Sequence, residues 1–512
     1  MKRINELKAG SILSYVNLLI GCIIPLLYTP IMLDILGQAE YGLYALSNSV
    51  ISYLSLLNLG VGSAVIRYLT RYRAEGRLDD VRRTMGLFVT IYSVLAVLVC
   101  IGGAVLVGVS GTAFAKGLSA AEIERMKMLL VIMTVSMAIS FPLGVFSSVT
   151  IVFERYLFNK LVCIGETVLL PVLNLVILYA GRGAVGMALI GLLFQVFNGA
   201  VYGVFSVRKL GIYPVFRGMP FGILKELMVF CAFIVLSTIV DMLYWATDKV
   251  LIGAVIGSAA VAVYNVGGTF TAMLQSMAHA ISGVFAPRVN MMVSRQEGIG
   301  QISELLIRIG RLQYLVVSFL LSGYLVFGQA FVRLWAGVEY ADAYYVGLMT
   351  MIPLTVPLIQ NIAFTTIVAQ NKHRFRSIVY AVIAVVNVVS TYLVLPYYGI
   401  IGAAACTAVA YILGQGIIMN LYYYKVTGLD IPGFWKNIGH MSIVPAVMIA
   451  ASMVLLRNLK PIPSMLWLLA DAAGYSVLFA GLSWLISMNR YEKDLFSSLV
   501  KNVLAIWKRP HR

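Results

Sequence analysis

Five charged residues stand out because they lie inside long apolar stretches or near their ends. Glu166 and Asp241 lie inside, where an ionisable side chain costs about 2.5–3.5 kcal/mol on insertion scales. A carboxyl group there can take up a proton or a sodium ion, or it can be a neutral, hydrogen-bonded structural group. Arg67, Arg288 and Lys249 lie near the ends, where a cation either anchors the helix by snorkelling or binds an anion that enters a cleft.

The apolar stretches are numerous enough to define the fold class. Of 512 residues, 61% are hydrophobic and 12% are charged, too little charge to cover a water-facing surface of that size. Fourteen stretches of about twenty residues, from residues 9–33 to residues 465–487, can each cross a hydrocarbon core of about 30 Å as a helix. We therefore predict an all-α integral membrane protein with fourteen transmembrane helices.

The loops between these predicted helices carry an uneven charge. Most of the 38 Lys and Arg residues fall in one alternate set of loops, which includes six from Arg67 to Arg83 and four from Arg288 to Arg311. By the positive-inside rule, this set faces the cytoplasm together with both termini, in the inner (cytoplasmic) membrane of the cell. The net charge of +17 is thus mostly a topology signal, and no basic-aromatic pattern indicates a nucleic-acid partner.

Three short matches at nearly constant spacing indicate an internal repeat. They pair Ile35–Gly37 with Val255–Gly257, Pro142–Val152 with Pro357–Val368, and Gly183–Ala188 with Gly399–Ala404. Because each copy holds six helices, an even number, both halves insert the same way up, as two parallel six-helix lobes plus two extra helices. The predicted domains are an N-lobe at 1–209, a C-lobe at 210–424, two helices at 425–490 and a cytoplasmic amphipathic tail at 491–512.

The remaining polar residues bear on whether the protein is an enzyme and on which side chains could line a cleft. The cysteines form no CxxC pair, and the longest predicted outer loop, about 110–127, lacks the His or the Asp pair that a membrane enzyme of polysaccharide assembly would need. We therefore expect no enzyme, no catalytic residue, no metal and no cofactor. Eight amides could line a wet cleft or join helices to one another: Asn17, Asn48, Asn174, Gln195, Asn265, Gln360, Asn361 and Asn387.

Several short motifs resemble one known family. Leu36–Tyr44, Asn58–Gly60 and Arg67–Tyr68 resemble the opening of polysaccharide (O-antigen repeat-unit) flippases of the multidrug/oligosaccharidyl-lipid/polysaccharide exporter superfamily. Two later motifs resemble the second half of these flippases: Thr247–Lys249 with Gly253 and Tyr264, and Leu334–Gly337 with Tyr340 and Ala341. The resemblance covers essentially the whole chain, and the order and spacing of these motifs carry it.

The resemblance implies that the protein moves a polyprenyl-diphosphate-linked oligosaccharide from the cytoplasmic to the outer leaflet by alternating access, for cell-surface polysaccharide biosynthesis. Arg67, Arg288 and Lys249 would then bind the diphosphate, although an ion pair of Lys249 with a neighbouring aspartate stays open. Glu166 or Asp241 would bind the coupling proton or sodium ion. Membrane lipids and polysaccharide polymerase machinery are the further partners expected. A cation-coupled multidrug or small-molecule antiporter of the same superfamily is the alternative.

Overall fold

The computed structural model describes residues 2–58, 61–224, 226–227, 238–239, 242–244, 246–370, 372, 374–458 and 463–507, and regular structure within them is helical. The chain divides by its contacts into two compact units, Met1–Asn265 with Ala384–Ala403, and Val266–Ile383 with Ala404–Arg512. The α-helices of the described residues are α1 (Lys2–Ser52), α2 (Val61–Ala74), α3 (Leu78–Ala113), α4 (Ala120–Val152), α5 (Tyr156–Tyr179), α6 (Gly183–Val204), α7 (Thr247–Val255), α8 (Ser258–Gly283), α9 (Ala286–Ser294), α10 (Ile299–Trp335), α11 (Ala343–Ile359), α12 (Asn361–Ala369), α13 (Arg374–Tyr411), α14 (Met419–Lys425), α15 (Ile431–Met441), α16 (Ile443–Asn458), α17 (Met465–Leu482) and α18 (Arg490–Trp507).

Ten helices of the described residues are long and apolar enough to cross a membrane. Two of them, Val16–Ala74 with 59 residues and Arg374–Lys425 with 52, are each long enough to hold two of the predicted transmembrane segments, since about twenty residues suffice for one crossing. The all-helical, multi-span prediction is therefore confirmed. The count of fourteen stays a prediction.

Glycines of the predicted repeat mark the joints between successive helical segments. Gly37 (φ 72°) kinks α1 and its counterpart Gly257 (φ 132°) forms the turn between α7 and α8. Gly183 (φ 55°) opens α6 and its counterpart Gly399 (φ 58°) kinks α13. These backbone angles favour glycine because a Cβ atom would be strained there. Both glycines of each pair thus have a positive φ, while the lobes at 1–209 and 210–424 stay a prediction.

In the first unit, α4 packs against α3 and α6, and α1 packs against α5. Leu43 and Leu46 of α1 and Met85 of α3 are fully buried, whereas apolar side chains such as Val97 and Val176 are mostly exposed. Helices that are apolar on every side bury one face in protein and leave the other for lipid. This unit contains the candidate site described below.

In the second unit, α10 packs against α11, α15, α16 and α17. The first part of α18 also packs here, because Tyr491, Leu495 and Phe496 contact the buried cluster that surrounds Phe434. The predicted tail is thus helical from Arg490 to Trp507. Its placement on the cytoplasmic face of the membrane stays a prediction.

Candidate functional site

A cavity of about 670 Å³ lies within the first unit, a volume in the range of about 300–1,000 Å³ that is typical of ligand sites. Most of its lining comes from α1, which contributes three tyrosines, and the rest comes from α5, α6, the residues before α7, and the facing sides of α7 and α8. The lining residues are Tyr28, Met32, Tyr41, Tyr44, Ala45, Asn48, Ser49, Ser52, Asn174, Met187, Thr238, Met242, Ala246, Lys249 and Asn265.

Lys249 is the one charged side chain among the described residues that line this cavity. Its Nζ donates a hydrogen bond to Oδ1 of Asn265 at 2.6 Å, and Nδ2 of Asn265 donates to the Tyr41 hydroxyl at 2.6 Å. α7 and α8 are consecutive helices joined by the turn at Gly257, so residues 249 and 265 face each other. The ammonium group is therefore held toward the cavity by a neutral amide.

A second pair across α7 and α8, Asp248 with Tyr264, is buried beside the pair of Lys249 and Asn265. Asp248 is 1% exposed, and its Oδ2 accepts a hydrogen bond of 2.6 Å from the Tyr264 hydroxyl. One residue earlier, the Thr247 hydroxyl is 2.7 Å from that of Tyr53. An acidic residue in the first turn of a helix also interacts favourably with the positive end of its dipole. These contacts fix the rotation of α7 that directs Lys249 toward the cavity.

Unusually close backbone contacts lie beside the cavity, along the same helices. A Cβ atom at Gly42 of α1 would lie 1.8 Å from the carbonyl oxygen of Ser258, and one at Gly117 would lie 2.2 Å from that of Gly253. The Ser258 hydroxyl also donates to the carboxylate of Glu122, which forms a capping box with Ser119 at the start of α4. Glycine is required at both positions because any side chain would separate α1 or the loop before α4 from the α7–α8 turn.

The lining suits a ligand that carries both negative charge and hydroxyl groups. An ammonium group attracts phosphate or carboxylate oxygens, and amides and phenols exchange hydrogen bonds with sugar hydroxyls. Tyrosine rings present apolar faces against which a sugar ring can pack. A positively charged ligand would meet Lys249 without a lining carboxylate among the described residues to offset the repulsion.

The structure places the predicted diphosphate-binding residues in different surroundings. Lys249 lines the cavity, as described. Arg67, on α2, is exposed and its Nη2 lies 3.5 Å from the Glu226 carboxylate in a surface ion pair, an interaction that contributes little to stability. Arg288 is exposed on α9, in the second unit. Neither arginine lines the cavity, and their role with the cargo stays a prediction.

The two predicted ion-coupling residues also differ. Glu166 of α5 is half-buried, and its Oε2 accepts a hydrogen bond of 2.9 Å from Nδ2 of Asn198, on α6. This contact agrees with a hydrogen-bonded structural carboxyl and is equally compatible with a group that takes up a proton. Asp241 lies outside the described residues.

Two features of the structure were not predicted from the sequence. Tyr28, Tyr41 and Tyr44 recur on one side of α1 and line the cavity, although the sequence showed only that two of them lie in a family motif. Arg311 is not a loop cation: it lies within α10, is 5% exposed, and its Nε and Nη2 bind the Glu492 carboxylate at 2.7 and 3.0 Å. The residue type signals charge, and only the fold shows that this charge is buried.

Comparison with solved structures identifies the fold. The chain is similar to a lipid II flippase MurJ in an inward closed conformation, with a TM-score of 0.72, 13% identity, and coverage of 95% of this chain and 99% of that one. It is also similar to an inward-facing multidrug resistance MATE family transporter of the MOP superfamily, with a TM-score of 0.58, 16% identity, and coverage of 82% and 99%. The protein thus has the fold of a multi-pass membrane transporter of this superfamily.

Comparison of sequences identifies the family within that class. The chain belongs to the family described as polysaccharide biosynthesis protein, whose model matches residues 7–293. It is also similar to the uncharacterized membrane protein EpsK of Bacillus subtilis (strain 168), with 22% identity over 422 residues, which is 80% of this chain and 81% of that protein. The resemblance to polysaccharide flippases that the sequence motifs indicated is confirmed.

Proposed function

We propose that the protein is a flippase for a polyprenyl-diphosphate-linked oligosaccharide, which it moves from the cytoplasmic to the outer leaflet for cell-surface polysaccharide biosynthesis. One observation carries the proposal: a single ammonium group, that of Lys249, faces a cavity whose described lining is otherwise made of tyrosines, asparagines, methionines, alanines and hydroxyl side chains. Family membership and the similarity to a lipid II flippase support the same substrate class.

The cargo's chemistry gives each lining group a task. The diphosphate loses its hydration shell when it enters the cavity, and attraction to the Lys249 ammonium group offsets this desolvation cost. The ammonium group gains as well, because a cation in a membrane span is costly without an anion. Tyr28 and Tyr44 pack against sugars. Alternating access requires the α7–α8 turn to separate from α1 at Gly42 and Ser258, the close contact beside the cavity.

The finer architecture belongs to the same proposal. Fourteen transmembrane helices form two parallel six-helix lobes plus two extra helices, in the inner membrane with both termini cytoplasmic. Arg67 and Arg288 meet the diphosphate at the cytoplasmic entrance, and a proton or sodium ion drives the cycle through Glu166 or Asp241. The protein catalyses no covalent reaction, and polysaccharide polymerase machinery takes over its product.

A multidrug antiporter would share this fold, and the charge of the cavity discriminates between the two functions. A cationic drug would be repelled by Lys249, whereas a diphosphate is attracted. The proposal therefore predicts selection for anionic lipids and no transport of organic cations.

The test is reconstitution of the purified full chain into vesicles containing a polyprenyl diphosphate oligosaccharide labelled on its sugar with a dye that external dithionite destroys. The wild type should make the inner-leaflet fraction accessible, Lys249→Gln should abolish this, and Lys249→Arg should retain part of it. Lys127→Gln is the matched control, because Lys127 pairs with Glu124 on the surface of α4 and lies outside the cavity lining. Equal rates for wild type and Lys249→Gln would contradict the proposed function.

A further inference from the structure

The contacts of Lys249 fix the orientation of the Asn265 amide. An ammonium group can only donate hydrogen bonds, so the Asn265 atom 2.6 Å from Nζ must be the amide oxygen. The amide nitrogen then faces Tyr41, and it can only donate. The amide oxygen of Asn265 thus faces Lys249 and its amide nitrogen faces Tyr41.

This orientation determines the direction of the Tyr41 hydroxyl. A phenol that accepts a hydrogen bond from Asn265 still has its own hydrogen to donate. That hydrogen has no hydrogen-bond acceptor among the described residues, and Tyr41 is 5% exposed while it lines the cavity. A buried donor without an acceptor costs about 1–3 kcal/mol. We take the acceptor to come from within the cavity, which Tyr41 lines.

We propose that Tyr41 is a second anion-binding donor of this site, and that Asn265 is the positioning residue which turns its hydroxyl hydrogen toward the diphosphate beside Lys249. This inference rests on the proposed function, since it assigns Tyr41 to the same cargo. The series of hydrogen bonds from Lys249 through Asn265 to Tyr41 is directional: each group donates to the next, and the Tyr41 hydroxyl donates to the ligand. Two donors on one side of the cavity suit a group with several adjacent acceptor oxygens, which a sugar hydroxyl is not.

The direction can be reversed by exchanging one atom. In Asn265→Asp, both side-chain oxygens are acceptors, so Lys249 forms an ion pair and Tyr41 donates to the introduced carboxylate instead of to the ligand. The substitution keeps the size of the side chain, but it removes both donors from the cavity. In Tyr41→Phe, by contrast, only the second donor is lost and the ring remains.

The experiment measures binding of farnesyl diphosphate and of farnesol to the purified full chain by calorimetry. Tyr41→Phe should weaken the diphosphate about tenfold or more, the effect of one hydrogen bond to a charged group, and leave farnesol unchanged. Asn265→Asp should weaken it about 100-fold, and adding Tyr41→Phe to Asn265→Asp should cause no further loss. Tyr202→Phe is the matched control, because the Tyr202 hydroxyl donates to Asn159 outside the cavity lining, and it should bind as the wild type.

Failures of the two proposals are distinguishable. If Lys249→Gln weakens farnesyl diphosphate binding while Tyr41→Phe and Asn265→Asp both bind it as the wild type does, this inference is overturned and the proposed function stands. If Lys249→Gln also binds as the wild type does, the cavity is not a diphosphate site and both are overturned. An equal loss of farnesol and farnesyl diphosphate affinity in Tyr41→Phe would show a packing role and would likewise overturn the inference.

Discussion

Gly42 offers the sharpest test of how the cavity opens. In Gly42→Ala, the new Cβ atom would lie 1.8 Å from the Ser258 carbonyl oxygen, and real Cβ contacts essentially never fall below 3.0 Å. The obstacle is backbone, so no side chain can rotate away. α1 and the α7–α8 turn must therefore separate by more than an ångström at this point, and the substitution acts against the state in which they are in contact.

The size of the effect follows from that overlap. Overpacking of a well-packed contact costs about 1–3 kcal/mol. If the cost falls only on the closed state, the ratio of open to closed molecules rises by about 5- to 150-fold. The predicted spans 226–247 and 258–286 leave residues 248–257 in the loop set opposite to the cation-rich one, so the α7–α8 turn is expected to face outward. Gly42→Ala should therefore raise access to the cavity from outside the cell and should slow the transport cycle.

Access can be measured with a cysteine placed in the cavity. Ser49→Cys suits this purpose because Ser49 lines the cavity and is 6% exposed. In a background without the native cysteines, a membrane-impermeant maleimide added to whole cells should label the introduced thiol severalfold faster when Gly42→Ala is present. The native cysteines to be replaced are Cys22, Cys100, Cys163, Cys231 and Cys406.

The control lies on the same helix. A Cβ atom at Gly21 would meet nothing within 4 Å, so Gly21→Ala should leave both labelling and transport unchanged. Unchanged labelling in a stable, abundant Gly42→Ala protein would refute the assignment of this contact as the outer gate. Faster labelling in both variants would show a general loosening of α1 instead.

Three further outcomes follow from the charged residues. Replacing Arg67 or Arg288 with Gln should reduce surface-polysaccharide output at matched expression, and Lys should only partly substitute because it cannot hold phosphate oxygens bidentately; normal output from both Gln variants would leave them as topology anchors. Arg311→Met should lower the free energy of unfolding in detergent by about 3–5 kcal/mol, because Glu492 is left buried without its partner. The double variant Arg311→Met with Glu492→Met should recover most of this loss. Glu166→Gln should abolish gradient-driven transport but keep downhill exchange, because the amide can accept a hydrogen bond but cannot take up a proton; full gradient-driven transport would make it a structural residue.

Much of the fold was predictable because membrane-spanning helices can be recognised in a sequence by their length and apolarity. The amides of the cavity were partly predictable for a similar reason: Asn48, Asn174 and Asn265 are polar residues in apolar segments, and all three line the cavity. The same signal applied equally to Gln360, which instead exchanges hydrogen bonds with Asn420 in the second unit. Polarity within a span marks a residue that needs a partner, but it does not tell whether that partner is protein or ligand.

The tyrosines could not be predicted because their role depends on which side of α1 meets α5 and α7. A tyrosine such as Tyr28 or Tyr44 is equally stable facing lipid headgroups or facing protein. The residue type alone therefore does not show toward which of the two the side chain points. The kink at Gly37 changes the path of α1 between them. Only the assembled helices show that both rings reach the same cavity.

Lys249 and Arg311 together show why a count of positive charges locates helix ends better than it locates function. Both are cations near predicted loops, and both are drawn into the protein, but the groups that meet them differ. Arg311 binds a carboxylate, a backbone carbonyl and an amide within the protein, so its charge is neutralised and its task is to hold α10 to α18. Lys249 is met by a neutral amide and faces a cavity. A buried cation at a cavity is retained at a cost in stability, and the proposed diphosphate cargo would offset that cost with its negative charge.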